Sequence, residues 1–164
     1  MFNLRIPVFD ILEGETRMEV SVLPEDLDLE FVDVEFKERI LIIILLSRFG
    51  RMISGNAEIE TSVELICARC LKKFRYKVES KFELQMKVER GASRFANFLD
   101  EDFAFLDETN GLIDLRERIR EEIVFDIPRI PICDENCVGI EFNEEKNNII
   151  DPRWEKLNKV KNNN

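Results

Sequence analysis

Residues 52–88 read MISGNAEIETSVELICARCLKKFRYKVESKFELQMKV, two runs of alternation around a pair of cysteines. In the first run Ile53, Ala57, Ile59, Val63 and Leu65 hold odd positions, with Ser54, Asn56, Glu58, Glu60, Ser62 and Glu64 between them. In the second run Phe74, Tyr76, Val78, Phe82, Leu84 and Met86 hold even positions among Arg75, Lys77, Glu79, Lys81, Glu83 and Gln85. A period of two puts one face against a core and the other in water. The stretch therefore predicts a β-hairpin with Cys67-Ala68-Arg69-Cys70 as a knuckle at its tip. Each arm of about fifteen residues would reach ~50 Å if straight. That is too long for a small domain to keep flat, so the arms are expected to bend at Gly55 or Ser80 and wrap.

Upstream, Phe2, Leu4, Ile6 and Val8 alternate around Pro7, which predicts an edge strand because proline cannot donate to a central ladder. Met18, Val20 and Val22 predict a second strand, stopped at Pro24. Apolar residues at Leu27, Leu29 and Phe31 shift phase to Val32, Val34 and Phe36, as a bulge or a change of sheet would require. Ile40 to Leu46 is apolar throughout and predicts a central strand covered on both faces. Downstream, residues from about 90 to 110 lose the pattern and predict a long loop, with a short strand at Phe103 to Leu106. Asp114, with Glu117 at the capping-box position, predicts a helix start, and Leu115, Ile119 and Ile123 give its apolar stripe. Pro128 and Pro131 end that helix. Asp151-Pro152 predicts a short second helix, and residues 161–164 a frayed tail. The fold expected is α+β over a single domain, residues 1–164. It is mainly antiparallel β in a curled or barrel-like sheet, with one main helix and a short C-terminal helix.

Composition narrows the function. Apolar residues at 45% suit a globular chain, and a net charge of −10 opposes coating of nucleic acid by the overall field while suiting a basic protein partner. The start has no basic stretch leading into an apolar run, and no run is long enough to cross a bilayer as a helix, which needs ~20 residues. A cytoplasmic protein without membrane or small-molecule partners is expected. With no histidine and no glycine-rich phosphate loop, nothing asks for enzyme chemistry.

The four cysteines, Cys67, Cys70, Cys133 and Cys137, are the whole complement. Two close thiolate pairs can close a tetrahedral zinc site, and a site closed by four cysteines leaves no position for substrate. The same residues read equally as buried thiols or disulfides. A redox Cys-x-x-Cys at Cys67 and Cys70 fits less well, because that motif opens a helix and here a strand follows. Around the knuckle, Arg69, Lys72, Lys73, Arg75 and Lys77 form the densest cationic cluster. It is a candidate nucleic-acid contact or a solvated strand face.

Taken in order, Glu64-Leu65-Ile66-Cys67-Ala68-Arg69-Cys70-Leu71, Ile113-Asp114-Leu115-Arg116-Glu117, Pro128-Arg129-Ile130-Pro131-Ile132-Cys133 and Asp151-Pro152-Arg153-Trp154 resemble the YceD-like family, the large ribosomal RNA subunit accumulation proteins. The resemblance implies a non-enzymatic part in 23S rRNA accumulation or processing in bacteria and plastids, through 23S rRNA or its precursor or through a basic ribosomal protein. It also implies that Cys67 and Cys70 match the family's first cysteine pair, and Cys133 and Cys137 the second. Many members continue with a further Cys-x-x-Cys-Gly, where this chain has Val138 to Asn143. A zinc-stabilised protein–protein adaptor without RNA contact, and a thiol-redox protein, are the alternatives.

Overall fold

Alternation along residues 52–88 becomes the longest pairing among the described residues. A computed structural model describes residues 4–31, 33–96 and 103–140. In it β5 (Met52–Ile66) and β6 (Lys73–Glu89) run antiparallel, in register from Met52 opposite Lys87 to Ile66 opposite Lys73. The tip between them is the cysteine knuckle, as expected.

The other edge of β5 is shared by two strands in tandem. β4 (Ile40–Phe49) covers it from Met52 to Glu60, and β3 (Val34–Phe36) covers Val63 to Leu65. The link between these strands crosses the edge at Thr61 and Ser62, two consecutive buried polar residues. Thr61 Oγ1 donates to the Arg39 carbonyl at 3.5 Å and Ser62 Oγ to Glu38 Oε2 at 2.8 Å, so both hydroxyls are satisfied. β2 (Gly14–Val22) flanks β4 antiparallel, and β8 (Phe103–Asp107) lies parallel to β6 over Gln85 to Glu89. A small second sheet joins β1 (Arg5–Pro7), β9 (Leu112–Asp114) and β7 (Phe95–Ala96), in the order β1-β9-β7.

The mixed, mostly antiparallel sheets and the helix bear out the α+β class. The expected curled or barrel-like sheet does not hold. The large sheet is open, in the order β2-β4-β5-β6-β8. Its apolar face needs no closure because helix α1 (Arg116–Asp126) lies against β6 on that face. Leu115, Ile119 and Ile123 are fully buried there. Tyr76 Oη donates to the Asp126 carbonyl at 3.2 Å, satisfying an acceptor that the helix end leaves free, and Ser80 Oγ donates to the Glu122 carbonyl at 3.3 Å, one turn further in. Among the described residues, no helix is long and apolar enough to cross a membrane.

Four further expectations shift. Leu27 and Leu29 are buried but belong to no strand: Pro24–Leu27 is a 3-10 turn, and Phe31 only bridges to Val34. The helix starts one residue later than the capping box suggests, with Leu115 at the cap. Asp114 instead clasps Arg116 and Arg5, accepting from each at 2.9 Å or less. The strand expected at Phe103 to Leu106 is present as β8, but β7 also interrupts the loop, and buried Asp107 gathers the turn through the Gly91, Thr109 and Asn110 amides. Finally, Ile40–Leu46 is covered on one face only, since its odd positions are partly open. The helix expected at Asp151 and the frayed tail lie outside the described residues.

Candidate metal centre

Backbone sterics and hydrogen bonds shape the knuckle first. After Ile66 the strand ends in a tight turn in which Leu71 N–H donates to the Cys67 carbonyl and Cys67 N–H to the Lys72 carbonyl, both at 2.9 Å. Leu71 sits at φ 58°, a left-handed conformation that costs a side-chain-bearing residue ~1 kcal/mol or more. The turn tolerates it because both its ends are fixed by the hairpin ladder.

The second cysteine pair arrives along the extended stretch after α1. Ala68 N–H donates to the Pro131 carbonyl at 2.8 Å, docking that stretch beside the tip. Cys137 N–H donates to the Asp134 carbonyl at 3.0 Å, curling residues 134–137 so that both cysteines face back. Arg69 holds the same curl from outside, donating from Nη1 to the Glu135 carbonyl at 3.0 Å and the Cys137 carbonyl at 3.2 Å. Gly139, at φ 84°, then turns the chain past Arg69.

The result brings all four cysteines together, although the pairs stand 63 or more residues apart in sequence. Every sulfur lies within 4.8 Å of every other. Cys67 Sγ is 3.8 Å from Cys137 Sγ, and Cys70 Sγ is 3.7 Å from Cys133 Sγ. These exceed a disulfide, whose sulfurs are ~2.05 Å apart. They equal the ~3.8 Å edge of a sulfur tetrahedron drawn around zinc at ~2.3 Å. The donor set fits a thiophilic divalent ion, with Cys67 buried at the back and Cys133 exposed at the front.

Electrostatics follow from the backbone. Amides of Cys70 and Cys133 point at Cys67 Sγ and bring its thiol down to about 6; the Cys133 N–H to Cys67 Sγ distance is 3.5 Å. The Cys133 thiol is pushed up to about 12, because Cys137 and Cys67 sulfurs crowd it. One thiolate is thus prepared by amides while Cys133 resists a second negative charge, an imbalance that a bound cation removes.

The cations around the knuckle are largely engaged. Lys73 Nζ lies 2.8 Å from Glu64 and 2.9 Å from Glu35, Lys77 Nζ lies 2.9 Å from Glu60, and Arg75 pairs with Glu38. Hydrogen bonds that it donates to Glu64 and Glu35 hold the Lys73 ammonium above its usual range. Arg69 serves the cysteine loop, while Lys72 makes no ion pair among the described residues. Sequence reasoning found the cysteines and read Pro131 and Gly139 beside the second pair, but took Arg69 for a cationic contact; its bonds to the cysteine loop span 66 and 68 residues, which local pattern does not report.

A family model described as "Large ribosomal RNA subunit accumulation protein YceD" matches residues 55–161, well over half of the chain and all four cysteines. No curated protein and no solved structure matches.

Proposed function

We propose a function that begins from membership: the chain belongs to the YceD family of large ribosomal RNA subunit accumulation proteins. On this reading it supports 23S rRNA accumulation and processing during large-subunit assembly in the cytoplasm, and does so by binding rather than by catalysis. The match across residues 55–161 carries the reading. Cys67, Cys70, Cys133 and Cys137 hold a structural zinc ion, which fixes the hairpin tip to the chain segment after α1. A four-thiolate zinc site is coordinatively closed, so its contribution is rigidity.

Of the two contact routes, the glutamates around Lys73, Arg75 and Lys77 favour the protein one. A phosphate backbone would first have to displace Glu35, Glu38, Glu60 and Glu64. A basic ribosomal protein is attracted by the net charge of −10 that repels a phosphate backbone. The thiol-redox alternative would use Cys67 and Cys70, but each has a sulfur of the second pair within 3.8 Å.

The test is deletion in the source cell, followed by ribosome sedimentation and quantification of 23S rRNA. A loss of large subunits with a fall in 23S rRNA supports the function, and unchanged profiles sink it. Metal content of protein purified without chelator, with a thiol count, tests the site. One zinc per chain is expected, and four free thiols without metal refute it.

A further inference from the structure

Ile40-Leu41-Ile42-Ile43-Ile44-Leu45-Leu46 has the composition of a strand buried on both sides. In the fold only the even positions are buried; Leu41 and Ile43 are half-buried and Leu45 is 41% exposed. These three side chains form an apolar stripe ~13 Å long on the outer face of the sheet. An uncovered row of branched apolar residues in a sheet is an aggregation hazard.

The register states what surrounds the stripe. Arg17 and Glu19 of β2 stand opposite Leu45 and Ile43 on one side, and Glu58 and Glu60 of β5 opposite Ile43 and Leu41 on the other. Glu79 and Glu83 of β6 continue the acidic flank. Arg17, Lys81 and Lys77 pair with Glu19, Glu58 and Glu60, and five carboxylates against three cations still leave a surplus of two negative charges. The face is therefore apolar along its axis and net negative on its β5–β6 side, while Arg17 and Glu19 balance on the β2 side.

We propose that this outer face, centred on Leu41, Ile43 and Leu45, docks a cationic segment of a protein partner. Apolar side chains of the segment lie on the stripe, and its lysines or arginines meet Glu19, Glu58 and Glu60. This deepens the binding function proposed above and rests on it. A second copy would set glutamates against glutamates, and RNA would set phosphates against them. Residues 141–164 carry as many acidic as basic side chains, so they lack the complementary charge.

The experiment uses the full chain with a photo-reactive benzoylphenylalanine in place of Ile43. It is mixed either with the basic proteins extracted from purified large ribosomal subunits or with deproteinised rRNA from the same subunits. The expected result is one crosslinked protein whose attached peptide is rich in lysine and arginine. Glu19→Gln, Glu58→Gln and Glu60→Gln together are expected to lower the yield at least tenfold. In parallel, Ile43→Glu with Leu45→Glu, checked for an unchanged far-ultraviolet spectrum, is expected to lose association with subunits at least tenfold. Crosslinks to rRNA, to a second copy or to residues 141–164 overturn the proposal, as does association that survives Ile43→Glu and Leu45→Glu. Failure of the unaltered chain to associate with any ribosomal material would instead overturn the binding function itself.

Discussion

If the four cysteines hold zinc as proposed, replacing Arg69 by alanine should weaken that binding about tenfold without unfolding the protein. The guanidinium touches no sulfur; it holds the curl that carries Cys133 and Cys137 through the Glu135 and Cys137 carbonyls, at 3.0 and 3.2 Å. A hydrogen bond from a charged donor contributes ~1.5–3 kcal/mol when buried. Arg69 is exposed, so ~0.5–1 kcal/mol for each of the two bonds is the fitting figure, ~1–2 kcal/mol together. That converts to about 5- to 30-fold in metal affinity, similar to the cost of losing a residue that orients a metal ligand. Competition against a chromophoric chelator reads it directly. Arg69→Lys should recover little, since one ammonium cannot reproduce the planar donor set that reaches both carbonyls. If the alanine variant holds zinc within twofold of the original, the curl is set by its own Cys137-to-Asp134 turn and the argument fails.

Three other outcomes follow from the packing. Ile123→Ala should cost ~2–4 kcal/mol, because it hollows the contact between α1 and the sheet at a fully buried position; a urea midpoint shift below ~0.5 M would contradict that. Gly55→Ala should destabilise strongly, since a Cβ there would sit 2.4 Å from the Leu45 carbonyl and 2.6 Å from Leu46 Cδ2; equal melting temperatures would show that the β4–β5 pairing gives way cheaply. For Asp114, burial raises the carboxyl, but hydrogen bonds from Arg116 and Arg5 outweigh it and bring it down to about 2. A carboxyl lowered by folding stabilises above its ordinary value of 3.8 and loses that contribution as pH falls through about 2. The gap amounts to ~2.5 kcal/mol at most, or ~1–2 kcal/mol after allowing for the partly exposed arginines. Asp114→Asn should flatten acid unfolding between about pH 4 and 2, which a series of denaturant titrations checks.

Local pattern carried the hairpin, because alternation depends only on neighbours along one strand. It also placed the knuckle, since a cysteine pair between two alternating arms has nowhere else to go. Register was beyond it. Glu60 and Glu64 lie on the wet face by parity alone, yet only the pairing of Glu64 with Arg75 and Glu60 with Glu79 sets them diagonally beside Lys73 and Lys77. The expected cationic cluster is for that reason a lattice of ion pairs. Strand partnership was likewise hidden, for nothing in Phe103 to Leu106 says that β8 will run parallel to β6. The open face of β4 misled for a physical reason: composition reports what a face tolerates, whereas burial depends on which elements arrive to cover it.

The cysteine cluster also sets a clock on synthesis. Cys70 leaves the translating machinery 63 residues ahead of Cys133, and at ~5–20 residues per second the lag is about 3–13 s. During that interval the growing chain carries half a ligand set on a hairpin whose second strand, Lys73–Glu89, follows Cys70 out and completes the ladder. A free ion met then could engage two sulfurs only, and an oxidant would find two neighbouring thiols with no metal between them. Pausing between codons 70 and 133 would lengthen this vulnerable period, whereas rapid elongation shortens it and lets the ion be captured by all four sulfurs at once.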